Sequence, residues 1–199
     1  MTRPARIVYL HGFASSPLSK KARYFGQLLP SLEVPDLAAG DFEHLTISGQ
    51  LRVVEETCRG ERVSLIGSSM GGYLAALYAA RHPEVERLVL MAPAFCFLHR
   101  WAESWEGKAF LPIYHYGEGR TCNLSRNLID DGREYEDYPD FHQPALIFHG
   151  IHDDTVPAEY SKTFAAAHSN ATLRLLDSDH ELIDVLNVMG EEALRFLNN

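Results

Sequence analysis

Ile66-Gly67-Ser68-Ser69-Met70-Gly71 sets a serine inside a G-x-S-x-G frame, at the seam between an apolar run and a helical one. Upstream, Arg62-Val63-Ser64-Leu65-Ile66 suits an interior parallel strand. Downstream, Tyr73 to Ala80 is rich in Ala and Leu, with Leu74, Leu77 and Tyr78 at helical spacing. A serine at such a strand–turn–helix elbow sits in strained backbone, so the residues two before and two after it must be small for strand and helix to approach. Gly67 and Gly71 fill those places around Ser69. Ser68 lacks the frame, because Ile66 stands where its glycine would be. Ser69 is therefore the candidate nucleophile, against the plainer reading of a glycine-rich turn with a capping serine.

Outward from the elbow, six short runs rich in Val, Ile and Leu read as strands: residues 6–10, 32–35, 62–66, 86–91, 145–149 and 172–176. Helical patterns near 18–29, 45–58, 70–81, 158–168 and 182–197 separate most of them, and this alternation implies crossover connections and a doubly wound, mostly parallel α/β sheet. In such sheets the loops after the strands converge on one crevice. Those loops carry His11-Gly12-Phe13 after the first strand and Ser69 after the third. Gly150-Ile151-His152-Asp153-Asp154 follows the fifth, and Ser178-Asp179-His180 the sixth.

One segment breaks the alternation. About fifty residues, 94–143, lie between the fourth and fifth strands, more than one crossover helix needs, and they are read as a cap of helix and loop inserted into a single domain spanning 1–199. The segment holds about half of the chain's aromatic residues, among them Phe95, Trp101 and Trp105. These three and His11 are candidate substrate-binding residues. The plainer reading is that the rings pack the insertion against the sheet.

A serine hydroxyl is a weak nucleophile at neutral pH and needs a positioned base. The chain has 10 histidines, but only His180 is read after the last strand, at the start of the final helix. A carboxylate must hold that imidazole in one tautomer and stabilise its cation. Asp153 is the candidate, with Asp154 the runner-up, better suited to shaping the loop; Asp177 and Asp179 are too close in sequence to His180. The backbone N–H groups of Phe13 and Met70 are candidate oxyanion donors. His11, in its H-G turn, fits a loop-stabilising hydrogen-bonding role better than a catalytic one.

The order Ser69, Asp153, His180 resembles the α/β-hydrolase superfamily over essentially the whole chain. Tyr9-Leu10-His11-Gly12-Phe13-Ala14-Ser15-Ser16-Pro17 and Gly67-Ser68-Ser69-Met70-Gly71-Gly72-Tyr73 resemble the small bacterial YqiA-type esterases. The stretch His149-Gly150-Ile151-His152-Asp153-Asp154-Thr155-Val156-Pro157 is similar to the superfamily's H-G-x-x-D-x-x-V-P signature, whose register selects Asp153, and with Ser178-Asp179-His180 it resembles ABHD10-like thioesterases. The resemblance implies an α/β-hydrolase fold and a serine esterase or thioesterase acting through Ser69, Asp153 and His180; the chain is read as departing from the superfamily pattern in opening on the strand that is normally third. Two alternatives stay open: an acyltransferase on the same scaffold, and a non-catalytic ligand-binding protein.

The formal net charge of -9 and pI near 5.5 argue against nucleic acid or an anionic membrane surface as the main partner. A small-molecule ester or thioester is the expected partner. No stretch has the apolar length of a membrane span and Met1-Thr2-Arg3-Pro4 leads directly into a strand, so a cytoplasmic location is expected. Cys58, Cys96 and Cys122 form no C-x-x-C pair, and His180-Glu181-Leu182-Ile183-Asp184 has Asp where a zinc helix needs its second His. No metal or other cofactor is expected. The sequence leaves the physiological substrate and the oligomeric state open.

Overall fold

A computed structural model describes residues 6–198. Its main sheet is parallel throughout, in the order β1 (Arg6–Leu10), β2 (Val63–Ser68), β3 (Val85–Met91), β6 (Ala145–Gly150), β7 (Ala171–Leu176). Period-2 alternation divides the strand side chains between two cores. Val8, Leu65, Leu88, Leu90 and Ile147 face one cluster, with α2 (Ile47–Cys58), α3 (Met70–Arg81) and Phe164 of α6 (Ala158–Ala167). Tyr9, Ile66, Val89, Met91, Leu146 and Phe148 face the other, with α1 (Lys20–Leu28) and α7 (Leu186–Leu197). Strands β2 and β6 are buried at every position because helices cover both faces, whereas β7 alternates as an edge strand does.

The expected six-stranded sheet is five-stranded. Residues 32–35 reduce to an isolated parallel bridge, Val8 to Glu33, made by Tyr9 N–H to Glu33 O (2.8 Å) and Glu33 N–H to Ile7 O (3.0 Å). Pro35, the last residue of this stretch and the next ladder donor after Glu33, has no N–H, so the pairing does not extend past the bridge on that side. The bridge still sets the topology. The chain leaves β1 through α1 on one face, touches the outer side of β1 at Glu33, and returns through α2 on the opposite face to β2. The winding reverses at β1, and the crevice beyond β1 and β2 is where α/β sheets place their ligands.

Two further expectations change. The final helix starts at Leu186, not 182, because Asp179 Oδ1 accepts from the N–H groups of Glu181 (2.9 Å) and Leu182 (3.3 Å), the Ser178 hydroxyl donates to Asp184, and Leu182 has φ of 55°. His180 therefore lies in a hydrogen-bonded loop and not at a helix start. Residues 94–143 hold α4 (Phe97–Ala102), a 3-10 turn (Glu103–Trp105), an antiparallel hairpin of β4 (Phe110–His115) and β5 (Arg120–Ser125), and α5 (Asn127–Gly132). The hairpin turn is tied to the loop after β1 by Tyr116 N–H to Ala14 O (2.8 Å). No helix among the described residues is long and apolar enough to cross a membrane.

Candidate active site

The elbow is built from missing side chains. A Cβ on Gly67 would overlap the backbone of Gly71 and Gly72, and one on Gly71 would overlap the carbonyls of Leu10 and His11. Strand β2 and helix α3 thus meet at backbone distance, and α3 lies against the end of β1. Between them Ser69 takes φ of 52° and ψ of −117°, a strained conformation for a residue with a side chain. It is held there by Ser69 N–H to Met91 O (2.9 Å) and by Ala94 N–H to Ser69 O (3.1 Å).

Three strand-end loops bring their side chains together at this point. His180 Nε2 lies 3.1 Å from Ser69 Oγ, and His180 Nδ1 lies 2.7 Å from Asp153 Oδ2. The other carboxylate oxygen, Oδ1, accepts from the N–H groups of Val156 (2.7 Å) and Thr155 (3.0 Å). Burial pushes the Asp153 carboxyl upward, but donors from His149, His180 and Val156 outweigh it and hold the group well below the usual carboxylate range. It is an anion at neutral pH. Asp154 is exposed, Asp177 pairs with His152 at the surface (2.8 Å), and Asp179 shapes its own turn; none of them meets His180. Gly150 brings the loops together, since a Cβ there would overlap the carbonyls of Ser178 and Asp179.

The loop after β1 supplies the fourth edge. An added Cβ on Gly12 would come 3.5 Å from Ser69 Cβ, so the H-G-F turn passes beside the serine. Neither Phe13 N–H nor Met70 N–H donates to another group among the described residues. His11 is almost fully buried; its Nδ1 bonds Gly12 O (2.9 Å) and its Nε2 accepts from Leu37 N–H (3.3 Å), so the ring staples the loop to residue 37. Burial lowers the His11 pKa, against the raising effect of its bond to Gly12.

The aromatic candidates divide. Phe95, fully buried, stacks on Phe164 at 4.7 Å, and Trp105, also fully buried, meets Trp101 edge-on at 5.4 Å; both are core side chains with no open surface. Trp101 is partly exposed and packs on Phe13 (5.2 Å) and Phe97 (5.1 Å), both partly exposed themselves, so this cluster fringes the H-G-F loop. A small cavity beside the loop, lined by His11, Phe13, Leu37, Phe42, Gln50 and His115, has about 10 Å³ of room, water-sized at most. Among the described residues no cluster of three or more His, Cys, Asp or Glu side chains is arranged to hold a metal ion.

A serine on an elbow beyond a parallel sheet, with histidine and aspartate on neighbouring strand ends, is the architecture of the α/β-hydrolase fold. The family model described as "Uncharacterised protein family (UPF0227)" matches residues 6–197, and the chain belongs to that family. Among solved structures, alpha/beta hydrolase domain-containing protein 10 from mouse superposes with a TM-score of 0.81 at 17% identity, over 96% of this chain and 89% of that one. Est1E from Butyrivibrio proteoclasticus gives 0.74 at 19% identity, over 97% and 88%. The monoacylglycerol lipase of Paleococcus ferrophilus gives 0.77 at 16% identity, over 96% and 93%. At these identities the likeness establishes the fold. The search of curated proteins gave no match.

Proposed function

We propose that the protein is a serine hydrolase that cleaves a carboxylic ester or thioester through an acyl-Ser69 intermediate. One observation carries the reading: His180 stands between Ser69 Oγ and the Asp153 carboxylate, 3.1 Å from one and 2.7 Å from the other. That is hydrogen-bond reach for a nucleophile, its base and the base's orienter. The structural likeness to a protein named as a monoacylglycerol lipase is consistent with it.

In this reading Ser69 Oγ attacks the acyl carbon while its proton passes to His180 Nε2, and the imidazolium is balanced by Asp153. The carbonyl oxygen becomes an oxyanion bonded by Phe13 N–H and Met70 N–H, each worth about 2.7–4 kcal/mol of transition-state stabilisation in comparable sites. As the carbon–oxygen or carbon–sulfur bond breaks, His180 returns its proton to the leaving alkoxide or thiolate. Water then attacks the acyl-serine, giving a proton to His180, which protonates Ser69 as the acid departs. The chain is taken as a single domain in which residues 94–143 act as a cap, with Trp101, Phe13 and Phe97 contacting the acyl group.

A fluorophosphonate probe tests the nucleophile. Labelling of the parent at Ser69, absent in Ser69→Ala, is expected; labelling at another serine sinks the assignment. Turnover of p-nitrophenyl esters of graded chain length then reads the acyl preference, and no turnover of any member counts against hydrolysis.

A further inference from the structure

His149 is enclosed completely at the end of β6, and nothing in the scheme above uses it. Its Nε2 lies 2.8 Å from Val156 O and 3.1 Å from Asp153 Oδ2, and its Nδ1 lies 2.7 Å from Ser161 Oγ on α6. Val156 O and the Asp153 carboxylate can only accept, so Nε2 must carry the hydrogen. A neutral ring then satisfies every partner, with Nε2–H shared between the carboxylate and the carbonyl and Nδ1 accepting from the Ser161 hydroxyl.

The Asp153 oxygen that His149 reaches is Oδ2, the one engaged by His180. Two histidines thus meet on a single oxygen, while the backbone amides of Thr155 and Val156 hold its twin. A carboxylate with only the two amides and His180 would still be charged, but its Oδ2 would keep His180 as its one hydrogen-bond donor among the described residues. Among the nearby charged groups, Lys21 of α1 lies within electrostatic reach of Asp153 and also faces Asp179 and Glu181. Its ammonium donates to Glu181 O at 2.7 Å, and among the described residues it has no hydrogen bond to the Asp153 carboxylate.

We infer that His149 is a positioning residue for the reaction: through its N–H to Asp153 Oδ2, with its tautomer set by the two acceptors at Nε2 and its ring held by Ser161, it orients the carboxylate toward His180 and draws off part of its charge. The inference rests on the proposed serine mechanism. It assigns to the first residue of the H-G-x-x-D stretch a role complementary to that of its last. One turnover leaves His149 unchanged; the proton travels only between Ser69, His180, the leaving group and water.

The test compares kcat, KM and the acid limb of kcat/KM against pH for His149→Leu, His149→Gln and Ser161→Ala, using the p-nitrophenyl ester the parent turns over fastest. With His149→Leu, kcat should fall by about 10-fold or more with KM nearly constant, since a hydrogen bond to a charged group is lost. The midpoint of the acid limb should move to higher pH, because an undiluted carboxylate favours the imidazolium. His149→Gln, whose Nε2 can sit where the ring Nε2 sits, should recover most of both. Ser161→Ala, which keeps the ring and its Nε2–H but removes the hydroxyl that holds Nδ1, should shift the midpoint in the same direction by less, and it stays informative if His149→Leu does not fold. Unmoved midpoints in the folded variants, with only thermal stability reduced, would overturn the inference. Retained turnover in Ser69→Ala would instead bring down the serine mechanism itself.

Discussion

The strand-end loops and the 94–143 segment use similar residues under opposite constraints. At the strand ends, backbone touches backbone: α3 on β1 through Gly71, and the loop after β7 on the end of β6 through Gly150. The 94–143 segment is held by side chains and a few single bonds. Tyr73 Oη donates to Glu136 O (2.9 Å), Ser48 bonds Asp131, and Tyr116 N–H reaches Ala14 O. Its strand β4 turns Phe110 and Tyr114 to solvent, whereas β2 and β6 expose nothing. The proposed reacting groups are carried on loops fixed by main-chain contact, and the proposed cap is held largely by side chains.

Substitutions in each region should break that contrast or sharpen it. The largest effects belong to the strand ends: Ser69→Ala and His180→Gln should each lower kcat by roughly 10⁴- to 10⁶-fold, and Asp153→Asn by roughly 10⁴-fold, measured on the best p-nitrophenyl ester. Next comes Gly71→Ala, whose methyl must displace the Leu10 and His11 carbonyls. A loss of about 3 kcal/mol or more in denaturant unfolding is expected, together with lost activity. Its counterpart in the hairpin turn, Gly119→Ala, has open space and faces only a positive φ of 66°, so about 1 kcal/mol is expected with turnover kept. Equal costs at the two glycines would erase the distinction between the regions.

Smaller still is Trp101→Ala, for which a several-fold rise in KM on the longer or aromatic esters is expected with kcat nearly constant. An unchanged KM across the ester panel would remove Trp101 from the acyl site. The mildest change concerns His11. Its folded pKa is depressed, so the unfolded chain takes up a proton near pH 6.5 before the folded one does. The neutral ring therefore contributes stability above that pH and loses it as pH falls through the lower folded value. In thermal melts, the parent's Tm should drop more steeply below pH 6.5 than that of His11→Gln; parallel curves would contradict this.

What the sequence made legible follows the same division. The elbow, the main helices and five of the strands could be read because burial on both faces leaves unbroken apolar runs, and because Gly67 and Gly71 are dictated by close approach. Residues 32–35 read as a strand by composition, yet Pro35 cannot extend the ladder beyond the one bridge at Glu33. The hairpin of β4 and β5 is hidden because Pro112 sits inside β4 and Phe110-Leu111-Pro112-Ile113-Tyr114 is apolar throughout; its signal is the Tyr116-Gly117-Glu118-Gly119 turn. Phe95 and Trp105 could not be told from pocket residues, since an aromatic residue looks the same whether it faces a ligand or a core. His149 was read as the end of an apolar strand. Its i,i+4 spacing to Asp153 was visible, but only the folded loop shows both reaching one point.

Gly150 has a consequence for how the site tolerates change. Because the carbonyls of Ser178 and Asp179 occupy the place of its absent side chain, the acid-bearing and base-bearing loops form one casting. The spacing of Asp153 from His180 is then a property of the main chain, insulated from mutation on the outer surface of either loop. Substitution at the surface positions His152, Asp154 and Asp177 should therefore leave the carboxylate and the imidazole aligned.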